Sequence, residues 1–188
     1  MTAGTLIRAL LLFLFLTLPA VAAGQGAAGG EARTFPLPQH GKLILAMPAS
    51  WQQDVRQPRA NLPPTITLTP RQGDEFKILI TPIWSPQKDP TFNRPDKVKR
   101  LVENDLSGML PGAVEQNVPL RQFTGTSGTG YYFQVTDKAP APGDFPYAVR
   151  AGIGVGDLLL SVTVLSRQKN AKAVAATIDM LRGARQVD

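Results

Sequence analysis

The sequence predicts an α+β domain, an antiparallel β-sheet flanked by helices, and three observations lead there. Seventeen glycines and seventeen prolines in 188 residues signal frequent turns. Short apolar stretches of period two follow one another across tight turns, as consecutive antiparallel strands require. Two segments carry the 3.6-residue period of an amphipathic helix, so the repeated strand-helix alternation of a doubly wound parallel sheet is missing. With 43% apolar and 18% charged side chains, the chain has the material for a core.

The first element is a targeting segment. Arg8 precedes an apolar stretch from Ala9 to Leu18, and Ala20-Val21-Ala22 supplies the small residues of a cleavage site. That stretch is half the roughly 20 residues a bilayer core demands. Residues 1–22 are therefore expected to be a cleavable export signal, with retention as an anchor as the alternative if the span extends to Ala23. No cysteine follows to accept a lipid, so the product is expected to be periplasmic or secreted, without stable membrane insertion. Residues 23–33 hold no large apolar side chain that would offset the entropy of ordering them, and they read as a flexible linker. Residues 34–188 are an ordinary size for one core.

Within that domain, Lys42 to Met47 is an apolar stretch closed by Pro48, hence a strand. Thr65 to Thr69 alternates hydroxyl and apolar residues, and Glu75 to Trp84 returns after the turn Arg71-Gln72-Gly73-Asp74, predicting a hairpin. Asp96 to Leu110 places Val98, Leu101, Val102, Leu106 and Met109 at helical offsets, with Asp96 as cap and Pro111-Gly112 as stop. Strands follow at Glu115 to Phe123 and Gly130 to Thr136. Phe145 to Val155 and Asp157 to Leu165 form a further hairpin at Gly156-Asp157, the second strand apolar on both sides and so expected at the centre of the sheet. Asn170 to Arg182 is a helix with Asn170 as cap and Gly183 as stop.

Chemistry is sparse. With no cysteine and one histidine, His40, thiol catalysis, cysteine-based zinc sites and any site of two imidazoles are excluded, and no cofactor or metal is expected. The net charge of +6 is ordinary for a soluble domain, and no aromatic RNP-type strand or helix-turn-helix pattern points to nucleic acid. Gly152-Ile153-Gly154-Val155-Gly156 resembles a phosphate loop, but the spacing is wrong and a strand follows, so these glycines read as structural. His40 reads as a surface polar residue, since no G-x-S-x-G elbow offers it a serine. Carboxylates such as Asp54, Asp74, Glu103, Asp105 and Asp157 leave open a pair working as in a glycosidase. The aromatics fall in or at the ends of strands, where most read as core. The alternative is an aromatic-lined cleft using Trp84 and Tyr147, with Arg150 as anion anchor.

The stretch GYYFQVTDKAPAPGDFPYAVRAGIGVGDLLLSVTVLS, Gly130 to Ser166, with MPASW at Met47 to Trp51 and the closing helix, resembles uncharacterised exported bacterial proteins similar in pattern to the PsbP-like fold. The resemblance implies an antiparallel sheet sandwiched between helices, an α/β/α arrangement used by photosystem extrinsic subunits, a Ran-binding nuclear transport factor and DcrB-type envelope proteins, which in the main bind proteins. It carries no catalytic signature. The expectation is a non-enzymatic accessory protein that binds another envelope protein. The alternatives are a small-ligand binder using Trp84, Tyr147 and Arg150, and a carboxylate-dependent hydrolase.

Overall fold

The structure, a computed structural model, describes residues 30–59 and 62–188; the expected export signal lies outside them. Among the described residues, the hairpins foreseen from period two assemble into a seven-stranded antiparallel sheet. Its strands are β3 (Trp51–Arg56), β4 (Thr65–Pro70), β5 (Phe76–Trp84), β6 (Arg121–Thr124), β7 (Thr129–Thr136), β8 (Tyr147–Val155) and β9 (Leu158–Ser166), in the order β3-β4-β5-β9-β8-β7-β6. The strand predicted to be central, β9, is the fourth of seven. It pairs with β5 and β8 along its whole length, and its leucines Leu158, Leu159 and Leu160 are buried on both faces. A second sheet, which the sequence reading did not foresee, joins β1 (Glu31–Pro36), β2 (Lys42–Met47) and β10 (Arg185–Val187) in the order β1-β2-β10.

The helices lie on opposite faces of the large sheet. α1 (Pro95–Met109) packs on β7 and β8 through Val102, against Phe133 and Val135. α2 (Ala171–Arg182) and the small sheet share the other face, where Leu43, Leu45, Ile178 and Leu181 join Ile78, Ile80, Val149 and Val162 in one buried cluster. The class is α+β, antiparallel, as predicted, but the cover on one face is a helix beside a sheet. No helix among the described residues is long and apolar enough to cross a membrane.

Four local expectations need correction. Of the linker expected at residues 23–33, Glu31, Ala32 and Arg33 belong instead to β1, ordered by ladder bonds to Met47, Ala46 and Leu45 rather than by burial of their own side chains, and residues 23–29 lie outside the described residues. β3 and β10 escaped notice because nearly all their side chains are exposed and leave no apolar period. The strand expected over Glu115 to Phe123 shrinks to Arg121–Thr124, because Pro119 has no N–H for a ladder and Glu115 is tied sideways to Thr136. Asp96 does not cap α1. Arg94 holds the cap position without a side-chain bond, Pro95 opens the helix, and Asp96 instead reaches Arg100 one turn on at 3.3 Å. Asn170 caps α2 as predicted, its Oδ1 accepting from the Ala173 amide at 2.9 Å.

The glycine series at the end of β8 serves packing. A Cβ on Gly152 would meet the methyls of Val98 and Val102, one on Gly154 would lie 2.4 Å from the Asn93 carbonyl oxygen, and Gly156 takes φ +60 in the hairpin turn. Bare backbone there lets α1 and the segment before it settle on the sheet.

Candidate functional site

Trp84, Tyr147 and Arg150 do not meet. Alternation along β8 sends Tyr147 to the face under α2 and Arg150 to the face under α1. The Arg150 Nε donates to Asp105 of α1 at 3.0 Å, and its guanidinium also reaches the Thr163 hydroxyl, so this cation is already engaged in fixing the helix to the sheet. Trp84 lies at the far end of β5, in register with Leu158, where His40 stacks on its ring at 4.4 Å between centroids. His40 Nδ1 in turn donates to Asp157 at 3.1 Å, and Gln186 of β10 donates to the His40 carbonyl oxygen at 3.0 Å. That cluster joins the small sheet to the β8–β9 turn. The three residues therefore cannot form one aromatic-lined cleft with an anion anchor.

Tyr147 does line a cleft, with partners other than those expected. A cavity of about 680 Å³ opens between α2 and the β6–β8 end of the large sheet, within the range typical of small-molecule sites. Its floor follows from strand register: Tyr132 and Gln134 on β7 share a face with Val149 and Tyr147 on β8. Its wall is the flank of α2 bearing Ala171, Val174, Ala175 and Ile178, positions one helical turn apart. The groove stays open for two reasons. Ala171 and Ala175 are small and exposed, and the core-facing side of α2 is held elsewhere, by Ala173, Met180 and Leu181. The segment between α1 and β6 frames the rim with Glu115 and Pro119.

The polar groups of this cleft divide into engaged and unengaged. Burial pushes the Glu115 carboxyl up, but the Thr136 hydroxyl and amide, each donating at 2.7 Å, outweigh it, and with the charge of Lys169 nearby the group sits below the usual carboxylate range. Asp179 pairs with Arg182 at 2.6 Å. By contrast the side chain of Arg121, in register with Tyr132, has no ion pair or hydrogen bond among the described residues, and neither do the hydroxyls of the half-buried Tyr132 and Tyr147. The carboxylates considered for hydrolysis are spread over the molecule on cations: Asp54 on Arg56, Asp74 on Arg167, Glu103 on Lys99 and Asp105 on Arg150. No cluster of three or more histidine or carboxylate side chains suited to a metal occurs among the described residues.

Tyr132 was within reach of the sequence, because alternation that puts Tyr131 and Phe133 under α1 must send Tyr132 the other way. Arg121, Val174 and Ile178 carried no such signal, since the cleft exists only once α2 docks beside the sheet edge.

No protein-family model matches the chain, and no curated protein matches it. Nine solved chains do match in structure. One is a crystal structure from Bacteroides thetaiotaomicron VPI-5482, 12% identical, with a TM-score of 0.47 over 86% of this chain and 50% of that one, so the chain spans about half the length of that relative. Another is the solution structure of cyanobacterial PsbP (CyanoP) from Synechocystis sp. PCC 6803, 8% identical, with a TM-score of 0.48 over 90% of this chain and 99% of that one.

Proposed function

We propose that this chain is a non-catalytic binding protein of the bacterial envelope, exported by residues 1–22, whose ligand seats in the cleft between α2 and the large sheet. The observation that carries the reading is a ligand-sized groove in which two half-buried tyrosine hydroxyls and the guanidinium of Arg121 lack partners among the described residues, while both carboxylates of the lining are engaged, Glu115 by Thr136 and Asp179 by Arg182. Polar groups placed over an apolar wall and left unsatisfied by the protein are what orients a bound molecule. The carboxyl with the most shielded position in the cleft, Glu115, is held below its ordinary range, whereas a general acid at neutral pH needs the opposite shift. Binding without turnover fits that environment.

The test is a thermal-shift screen of metabolites and cell-wall fragments against the mature chain and an Ala175→Trp variant, which fills the groove from an exposed position. A ligand at a hundred times its Kd stabilises the wild type by about 2.7 kcal/mol. The expected result is a saturable shift that the variant loses; the absence of a saturable shift with any compound would refute the reading.

A second reading, binding to another envelope protein, is favoured by a separate observation. α1 covers β7 and β8 only, and on the same face Thr67, Leu79, Thr81 and Thr163 of β4, β5 and β9 remain half-exposed side by side. A charged residue at Thr67 is then expected to abolish a reproducible cross-link to a periplasmic partner while Ala175→Trp leaves it intact.

A further inference from the structure

We propose, building on the cleft as the ligand seat, that it takes an elongated organic anion: an unbranched apolar chain ending in one carboxylate or phosphate head, with the head on Arg121. The charge of the lining favours an anion, since Arg121, Lys169 and Arg182 stand against Glu115 and Asp179 alone. Of these cations, Arg182 is held by Asp179 at 2.6 Å; Lys169 acts on the charge of Glu115 without forming an ion pair with it, and Arg121, likewise without an ion pair among the described residues, is the cation set on the strand beside Tyr132. A guanidinium offers paired donors that match a carboxylate or phosphate. Register places Arg121 directly across from Tyr132, whose free hydroxyl is then a neighbouring donor to the same head.

The shape favours a chain. From Tyr132 to Thr136, level with Tyr147, the floor runs four residues of β7, roughly 13 Å at about 3.3 Å per residue. Val149 below and Val174 and Ile178 beside it supply an apolar stripe between the two tyrosines, with Gln134 the polar residue of the floor next to it. An extended peptide fits less well. It would bring an N–H and a C=O per residue into a groove where β8 is paired on both edges and β7 leaves only Phe133 to Val135 without a neighbour on its outer edge, Thr136 being taken by Glu115 and Val114, so most of those groups would find few partners.

The experiment is isothermal titration of the mature chain with decanoate, decyl phosphate and decanol, repeated with Arg121→Gln and Ala175→Trp. Both anions are expected to bind saturably and at least about tenfold tighter than decanol, a preference typical of one charge-assisted contact. Arg121→Gln is expected to bring that ratio to near one, and Ala175→Trp to abolish binding of all three. Tighter binding of decyl phosphate marks a phospholipid-type head and tighter binding of decanoate a free acid, and either order supports the proposal. Equal affinity for decanol and decanoate, or a ratio unmoved by Arg121→Gln, overturns it. Failure of all three probes while a library compound still binds in a manner blocked by Ala175→Trp overturns the anionic chain and leaves the cleft reading standing; failure of both removes both.

Discussion

Arg150 shows how one side chain can be removed from a ligand site by its neighbours. With about a quarter of its side chain exposed, and a similar share for Asp105, the pair is screened less than a surface ion pair. Asp105→Ala leaves the guanidinium half-buried with only hydroxyl partners and is expected to cost about 1.5 to 3 kcal/mol in chemical denaturation; a double-mutant cycle with Arg150→Met should return most of that loss as coupling. Glu115 offers a pH test at the same scale. Its folded-state pKa lies below its unfolded value, so its contribution is fully present above the ordinary carboxylate range, about 4.3, and is lost as the pH falls through the lower folded value. Glu115→Gln is therefore expected to be less stable than the wild type at pH 7 and to lose that difference as the pH falls below the ordinary carboxylate range. A gap independent of pH would show that the carboxyl's hydrogen bonds to Thr136 contribute nothing through its charge.

Elements meet here where side chains are smallest or most specific. α1 settles on β8 because Gly152 presents no Cβ to Val98 and Val102. Gly152→Val would drive branched methyls into that contact and is expected to destabilise by about 1 to 3 kcal/mol, read from the urea midpoint. On the other face, β6 and β7 join through Phe123, whose ring occupies the space a side chain on Gly130 would need, the nearest ring carbon being 2.2 Å from the position of its Cβ. α2 depends on its cap: Asn170→Ala frees the Ala173 amide and should cost about 1 kcal/mol. Because that helix is the wall of the cleft and Asn170 itself lines it, the same variant is expected to weaken any cleft ligand, which a titration would detect.

At the scale of the whole molecule, two sheets share a single core. Leu43 and Leu45 of the small sheet are fully buried in the cluster that holds Ile80 and Val162 of the large one, and His40, Asp157 and Gln186 bind the sheets together at their rim. A common core leaves no plane along which one sheet can melt alone. Native-state hydrogen exchange is expected to give the amides of β2 and β9 the same opening free energy, equal to that of global unfolding; a lower value for β2 would show that the small sheet is a separable unit. The uncovered half of the α1 face lies outside this core, so the two proposed sites, one there and one under α2, are expected to be separable by mutation.

Period two and turn chemistry were enough to place β2, β4, β5, β7, β8 and β9, and an apolar stripe with Asn170 and Gly183 at its ends was enough for α2, because those signals come from local sterics and from burial on a definite face. The same signals set the α+β class and marked the glycines of β8 as structural. Nothing local marks β1, β3 or β10, whose backbones are ordered by a neighbour's ladder rather than by their own side chains. The candidate site was legible in one residue, Tyr147, since strand alternation separates faces but does not say what will cover each of them. Trp84, Tyr147 and Arg150 looked alike as sequence, an aromatic or a cation in a strand, and tertiary packing sent one to a joint between sheets, one to a cleft and one to an ion pair under a helix. Which polar group remains unpaired, the property on which binding turns, is decided only after every other charge has found its partner in space.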